Sequence, residues 1–296
     1  MKFWAWVAGG LVALIGAALA LLFVVDALPV FRHSGFGAYL FGSEWFYRAE
    51  RFGILSMLYG TLAVAAVALA VATPVGLGTA IFLAEAPLPR RSRLLIKSVV
   101  ELLAGIPSVV YGLLGVLVLR EVVFRFLAPW EPLSGDTLLT AGLLLAVMTL
   151  PTFVTLADDA LRGVPAVQRE AGRALGFSRG EVVRRVALPQ ALPGLVAAGL
   201  LALGRALGET IAVFLVVGRQ DNQLPSPWWS PAPLAASGQT LTSKLGGAET
   251  FLAYDDPLHW GAMSGLALVL VLLVTATTLI GGRLLVGRGG IRAARG

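Results

Sequence analysis

Six separate apolar runs, at 6–28, 56–83, 99–119, 137–157, 195–217 and 261–285, constrain this chain more than any other feature. Each is about 20 residues or longer, the length of helix that crosses roughly 30 Å of hydrocarbon. Inside hydrocarbon every backbone N–H and C=O must be bonded within the segment, so each run is expected to be a helix. Only 14% of the residues are charged, against about 25% in a soluble domain. The first run could pass for a secretory signal, but its small triplet Ala18-Leu19-Ala20 lies inside the apolar stretch rather than after it. It is therefore expected to remain as an anchor. The expected fold is an all-α membrane protein with six transmembrane helices.

The net charge is +6, which by itself would suit a nucleic-acid partner. The basic residues instead fall in short loops between apolar runs, the pattern of membrane orientation and not of a nucleic-acid-binding face. One set of loops and ends collects Lys2, then Arg90, Arg91, Arg93 and Lys97, then Arg162, Arg169, Arg173, Arg179, Arg184 and Arg185, then Arg283, Arg288, Arg292 and Arg295. The other set has fewer: Arg32, Arg48, Arg51, Arg120, Arg125, Arg219 and Lys244. The richer face is expected to be cytoplasmic, with both termini inside. There are no cysteines, so disulfides and thiolate metal sites are excluded. His33 and His259 read as ordinary loop residues. No GxxxxGK[ST] loop occurs, so ATP-driven work would need a separate ATPase polypeptide. No cofactor is implied, and no metal-ligand cluster or nucleophile constellation suggests an enzyme.

Proline and glycine interrupt several runs: Pro74 with Gly76 and Gly78, Gly105 with Pro107, and Gly199 with Gly204 and Gly208. They suit close helix packing, and also local bends that shape a pathway.

The loop at 158–190 carries the most specific signal. Glu170-Ala171-Gly172-Arg173-Ala174-Leu175-Gly176 is followed, after nine residues, by Val186-Ala187-Leu188-Pro189. Ala171, Ala174 and Leu175 share one face of a short helix, and Gly176 is placed to stop it. Asp158 and Asp159 end the fourth run and are near enough to pair with the nearby arginines. In the fifth run, Arg205 and Glu209 are four residues apart and would share a helix face and pair. Charges near the bilayer centre cost about 2.5–3.5 kcal/mol each on insertion scales, so they are candidates for a solute pathway. The arginine fork suits an oxyanion, and Thr210 could add a hydroxyl.

The spacing Glu170-Ala171-Gly172, Gly176, Leu188-Pro189 resembles the EAA loop of ABC importer permeases, with Gly172 in place of alanine and Val186 in place of isoleucine. Further stretches are similar to phosphate-specific permeases. They are Thr73 to Gly78 leading to Ala84-Glu85, Glu101 to Gly112, and Leu203 to Val213, the last closer to the PstC than to the PstA type. The resemblance implies a type I (MetI-like) fold in a bacterial inner membrane, with 1–54 an anchor and first periplasmic loop and 55–296 the permease domain. It implies that the segment of Glu170, Ala171, Gly172, Ala174, Leu175, Gly176, Leu188 and Pro189 docks on an ATPase, and that Arg205, Glu209 and Thr210 contribute to an anion pathway. The implied partners are a PstA-type second permease, a PstB-type ATPase homodimer, and a PstS-type phosphate-binding protein, periplasmic or lipid-anchored. Permeases for sulfate or molybdate, and a stand-alone secondary carrier, are the competing readings. The outer loop 219–260, with Pro225, Pro227, Trp228, Trp229, Pro231 and Pro233, suits either a docking surface or interfacial anchoring.

Overall fold

The computed structural model describes residues 2–86, 89–130, 133–224 and 232–293. Helix α1 (Lys2–Ser34) leads through the short α2 (Phe36–Phe41) to a two-stranded hairpin, β1 (Trp45–Phe46) against β2 (Arg51–Phe52), paired antiparallel. Helix α3 (Leu55–Glu85) follows, then α4 (Arg90–Gly105), α5 (Ser108–Leu114) and α6 (Arg120–Leu127), the last two joined by a π-turn at Gly115–Leu119. Next come α7 (Leu138–Arg162), α8 (Ala166–Ala174), α9 (Arg179–Val182), α10 (Leu188–Gly208) and α11 (Ile211–Val216). The chain ends in α12 (Leu241–Leu245), α13 (Glu249–Leu252) and α14 (Pro257–Ala293).

Five helical stretches are long and apolar enough to span a membrane, and a sixth if the bent pair Arg90–Gly105 and Ser108–Leu127 counts as one. The expected six runs thus correspond to five straight spans and one bent pair, and the third and fifth differ from the sequence expectation. The third does not run straight through 99–119. Pro107 has no N–H and forces Ile106 out of the helical region (φ −70°, ψ 128°), so the chain turns by 91° there. Ser108–Leu127 is the more apolar arm of this bent pair, and α4, with four basic residues, is its amphipathic arm. The fifth does not run through 195–217. It begins at Arg179, continues to Gly208 and stops. Leu188 and Pro189 thus lie inside this helix and not in a preceding loop. A π-turn at Val183–Ala187 sits immediately before Pro189, where the ring would otherwise press on the carbonyl one turn earlier.

The core is layered along the bundle. At mid-depth Val64 and Ala68 of α3, Tyr111 of α5, Leu144, Leu145 and Met148 of α7, and Ala212 and Val213 of α11 interlock. Towards the α8 end Ala80, Phe153, Ala157, Leu161, Leu195 and Ala198 join α3, α7 and α10. At the opposite end Tyr39, Trp45, Phe52, Met57, Leu241 and Met263 gather the hairpin, α3, α12 and α14. Gly76 and Gly204 do serve packing. A Cβ at 76 would lie 2.5 Å from the Phe153 ring, and one at 204 would lie 2.9 Å from Thr278 Oγ1. Gly78, Gly105 and Gly208 face open space. Residues 225–231, which hold Pro225, Pro227, Trp228, Trp229 and Pro231, lie outside the described residues, and Pro233 sits in a 3-10 turn at Ala232–Ala235.

Candidate functional site

The helix end at Gly208 changes how Arg205 and Glu209 relate. Glu209 takes extended backbone (φ −74°, ψ 123°), which destroys the four-residue register, and the two side chains form no ion pair. The Glu209 carboxylate turns forward and accepts the Ala212 N–H at 3.4 Å, where a negative charge suits the start of α11. Thr210 donates its hydroxyl to the Gly208 carbonyl at 3.4 Å, across the break. Arg205 is exposed and forms no hydrogen bond or ion pair among the described residues. An unpaired guanidinium presents five donors in a planar fork, able to engage two oxygens of one anion.

The break in α10–α11 packs on the element that follows the Pro107 break. Gly112 of α5 meets α11 so closely that a Cβ there would lie 2.6 Å from Leu215 Cδ1 and 3.1 Å from Ala212 Cα. Tyr111, only 6% exposed, donates its hydroxyl to the Leu103 carbonyl at 2.9 Å, bridging the 106–107 break. The stretches 106–112 and 205–213 therefore come together in space. Sequence reasoning gave Tyr111 no role; its place inside a Pro-interrupted run beside two glycines was the available signal.

The 158–190 segment forms a helix as expected, with its faces assigned differently. Gly176 stops α8 at φ +85°, a left-handed conformation that favours glycine. Its N–H bonds to the Arg173 carbonyl at 2.9 Å and that of Phe177 to Gly172 at 3.1 Å, a Schellman closure. Glu170, Ala171, Ala174 and Leu175 are all exposed, and so is Val167. The apolar face at 171, 174 and 175 is thus turned away from the bundle and has no cover within this chain. Gly172 is the buried position, against Val182, Val186 and Phe177. Ser178 and Glu181 cap α9 reciprocally. Asp158 pairs with Arg162 at 2.8 Å, while Glu85 pairs with Arg169.

At the opposite end lies a polar cluster that the sequence did not disclose. Lys244 is 2% exposed and contacts Asp221 at 2.6 Å and Glu249 at 2.5 Å, with its ammonium 5.1 Å from the Trp45 ring centroid. Glu249 also accepts from Trp45 Nε1 at 2.6 Å and lies 2.9 Å from His259 Nε2. Burial pushes Glu249 up, but Lys244, Trp45 and His259 overcome it and leave the carboxyl below its ordinary range. Burial pushes Asp221 up and prevails over Lys244. His259 is consequently no loop residue. It is buried at the start of α14, stacked on Tyr47 at 5.2 Å. A cavity of about 310 Å³ opens beside the cluster, lined by Phe214, Arg219, Asp221, Ser243 and Lys244 among others. Among the described residues no group of three or more His, Cys, Asp or Glu is disposed to hold a metal ion.

Residues 72–285 match the family described as binding-protein-dependent transport system inner membrane component. The phosphate transport system permease protein PstC 1 of Mycobacterium tuberculosis is 37% identical over 261 residues, which covers 83% of this chain and 76% of that protein. The corresponding PstC protein of Mesorhizobium japonicum is 34% identical over 257 residues, 81% of this chain and 76% of its own. Among solved structures, an inward-facing MetNI methionine ABC transporter chain superposes with a TM-score of 0.58. It is 21% identical and covers 78% of this chain and 94% of that one, a likeness of fold.

Proposed function

Since the chain belongs to the inner-membrane components of binding-protein-dependent transport systems, we propose that it is the PstC-type permease subunit of an ATP-driven importer of inorganic phosphate. It forms half of a translocation pathway, and a PstA-type permease completes the other half. The exposed face of α8, at Glu170, Ala171, Ala174 and Leu175, docks on a PstB-type ATPase homodimer. That places α8 and both termini in the cytoplasm, in keeping with the Lys and Arg distribution. A PstS-type binding protein delivers phosphate to the opposite end. Hydrolysis of ATP belongs to the ATPase subunit.

The observation that carries the pathway assignment is the unpaired Arg205 at the foot of a helix break. An arginine within a membrane span without a carboxylate partner is costly, and an anionic solute supplies the missing charge. Glu209 acts at one remove, by capping α11 and holding the break open. Support for phosphate over other oxyanions comes from the relatives, which are named for phosphate. Reconstituting the four-component complex in vesicles tests the reading. Phosphate, delivered by its binding protein, should raise ATP turnover and accumulate inside; sulfate and molybdate should do neither. Arg205→Ala should lower uptake at least about tenfold, the worth of a hydrogen bond to a charged group, while assembly persists. Undiminished uptake by a well-assembled Arg205→Ala complex would falsify the pathway role.

A further inference from the structure

Two arginines at the α8 end tie three helix ends together. Arg162, in the last turn of α7, donates Nε to both oxygens of Asp158 at 2.8 Å and Nη2 to the Leu83 carbonyl of α3 at 2.9 Å. Arg169, on α8, donates Nη1 to the Glu85 carboxylate, the last residue of α3, and Nη2 to the Leu161 carbonyl of α7 at 2.6 Å. Leu83 and Leu161 are among the final carbonyls of their helices, which have no partner within the helix. A guanidinium there meets the Leu83 acceptor, joins the Val164 N–H (3.1 Å) on the Leu161 carbonyl, and lies at the negative ends of the helix dipoles. The pair is well shielded: the Arg169 and Glu85 side chains are 14% and 15% exposed, and that of Asp158 is 3%.

Stability alone does not account for this arrangement. Shielded ion pairs are often no more stabilising than apolar residues of the same volume, because desolvation offsets attraction. What they impose is geometry. Adjacent residues on a helix point about 100° apart, so Arg169 faces the bundle while Glu170 beside it faces outward. Gly172 also faces inward, against Val182 and Val186. One short helix therefore has an open outer face and an inner face bolted to α3 and α7.

We infer that Arg169 and Glu85 are positioning residues that make α8 and the adjoining ends of α3 and α7 move as one body, so that force on the outer face of α8 reaches those helices directly as well as through α9 into α10. This inference rests on the docking of α8 proposed above. The chain has no cysteine, so a pair introduced at these two positions can be bridged selectively. In the reconstituted complex, Glu85→Cys with Arg169→Cys should reduce phosphate imported per ATP hydrolysed about tenfold, within the range by which residues of a coupling network change it. Bridging the two thiols with a short bifunctional thiosulfonate should restore that ratio. A purely structural pair would change the amount of assembled complex and leave the ratio alone. Arrest of transport on bridging would mean that α8 slides against α3, and would overturn the inference, as would an unchanged ratio in the unbridged variant. If the double variant does not assemble, Arg169→Met, which keeps the side-chain length, reads the same ratio, and an unchanged value again overturns it. Failure of the underlying transport reading looks different: the unaltered complex itself would show no ATP-dependent uptake.

Discussion

Gly172 shows how much a single position depends on which way it faces. In the sequence it is a departure from alanine that weakens a helix by about 1 kcal/mol. In the structure it is the buried position of α8, and an added Cβ would sit 3.4 Å from methyls of Val182 and Val186, ordinary van der Waals contact. Gly172→Ala should therefore fit, and should stabilise by about 0.5–1 kcal/mol through reduced freedom of the unfolded chain. A melting temperature in detergent that falls rather than rises would show that the contact is too tight. Glu209 teaches the complementary lesson. Its charge was legible, but its partner is the Ala212 N–H and not Arg205, because Glu209 itself leaves the helix.

Among elements, the decisive contact is α5 on α11. Two interrupted helices expose backbone and need close neighbours to limit the loss, and Gly112 provides one such approach. Gly112→Val should drive Leu215 and the backbone at Ala212 outward, at a cost of about 1–3 kcal/mol for overpacking. It should also depress phosphate uptake, because α11 carries the far side of the break beside Arg205. Normal uptake from a chain that melts at the parental temperature would show that the two elements do not need to touch. The π-turns at Gly115–Leu119 and Val183–Ala187 belong to the same scale: each lies inside a continuous helix, and the second relieves the strain at Pro189.

The whole molecule is held at the end opposite α8 by Lys244, which draws together the loop bearing Asp221, the hairpin through Trp45, α13 through Glu249 and, by way of Glu249, α14 at His259. Lys244→Met should leave two shielded carboxylates without their cation, at a cost of about 3–5 kcal/mol near neutral pH. The sign of the pH dependence follows from the two carboxyls. Glu249 lies below its ordinary range, so its contribution is present above that range and is lost as pH falls through it. Asp221 is raised, so its penalty is present at neutral pH and fades on acidification. In the variant Asp221 loses its cation and Glu249 keeps only Trp45 and His259, so the deficit relative to the parent should shrink as pH falls below about 4–5. Parallel pH curves for the two proteins would show that Lys244 does not neutralise this cluster.

The sequence by itself determined the spanning character of the chain, the stop at Gly176, the class of fold and the family, because hydropathy, glycine conformation and motif spacing are local properties of a chain in lipid. The Pro107 bend was locally encoded too, in Gly105-Ile106-Pro107, but its size of 91° was not. Only the tertiary structure decided which charges are paired. Glu85 meets Arg169 across 84 residues, and Trp45 meets Glu249 across 204. A residue's neighbours in a folded bundle are set by helix packing and helix breaks, and no local pattern records them.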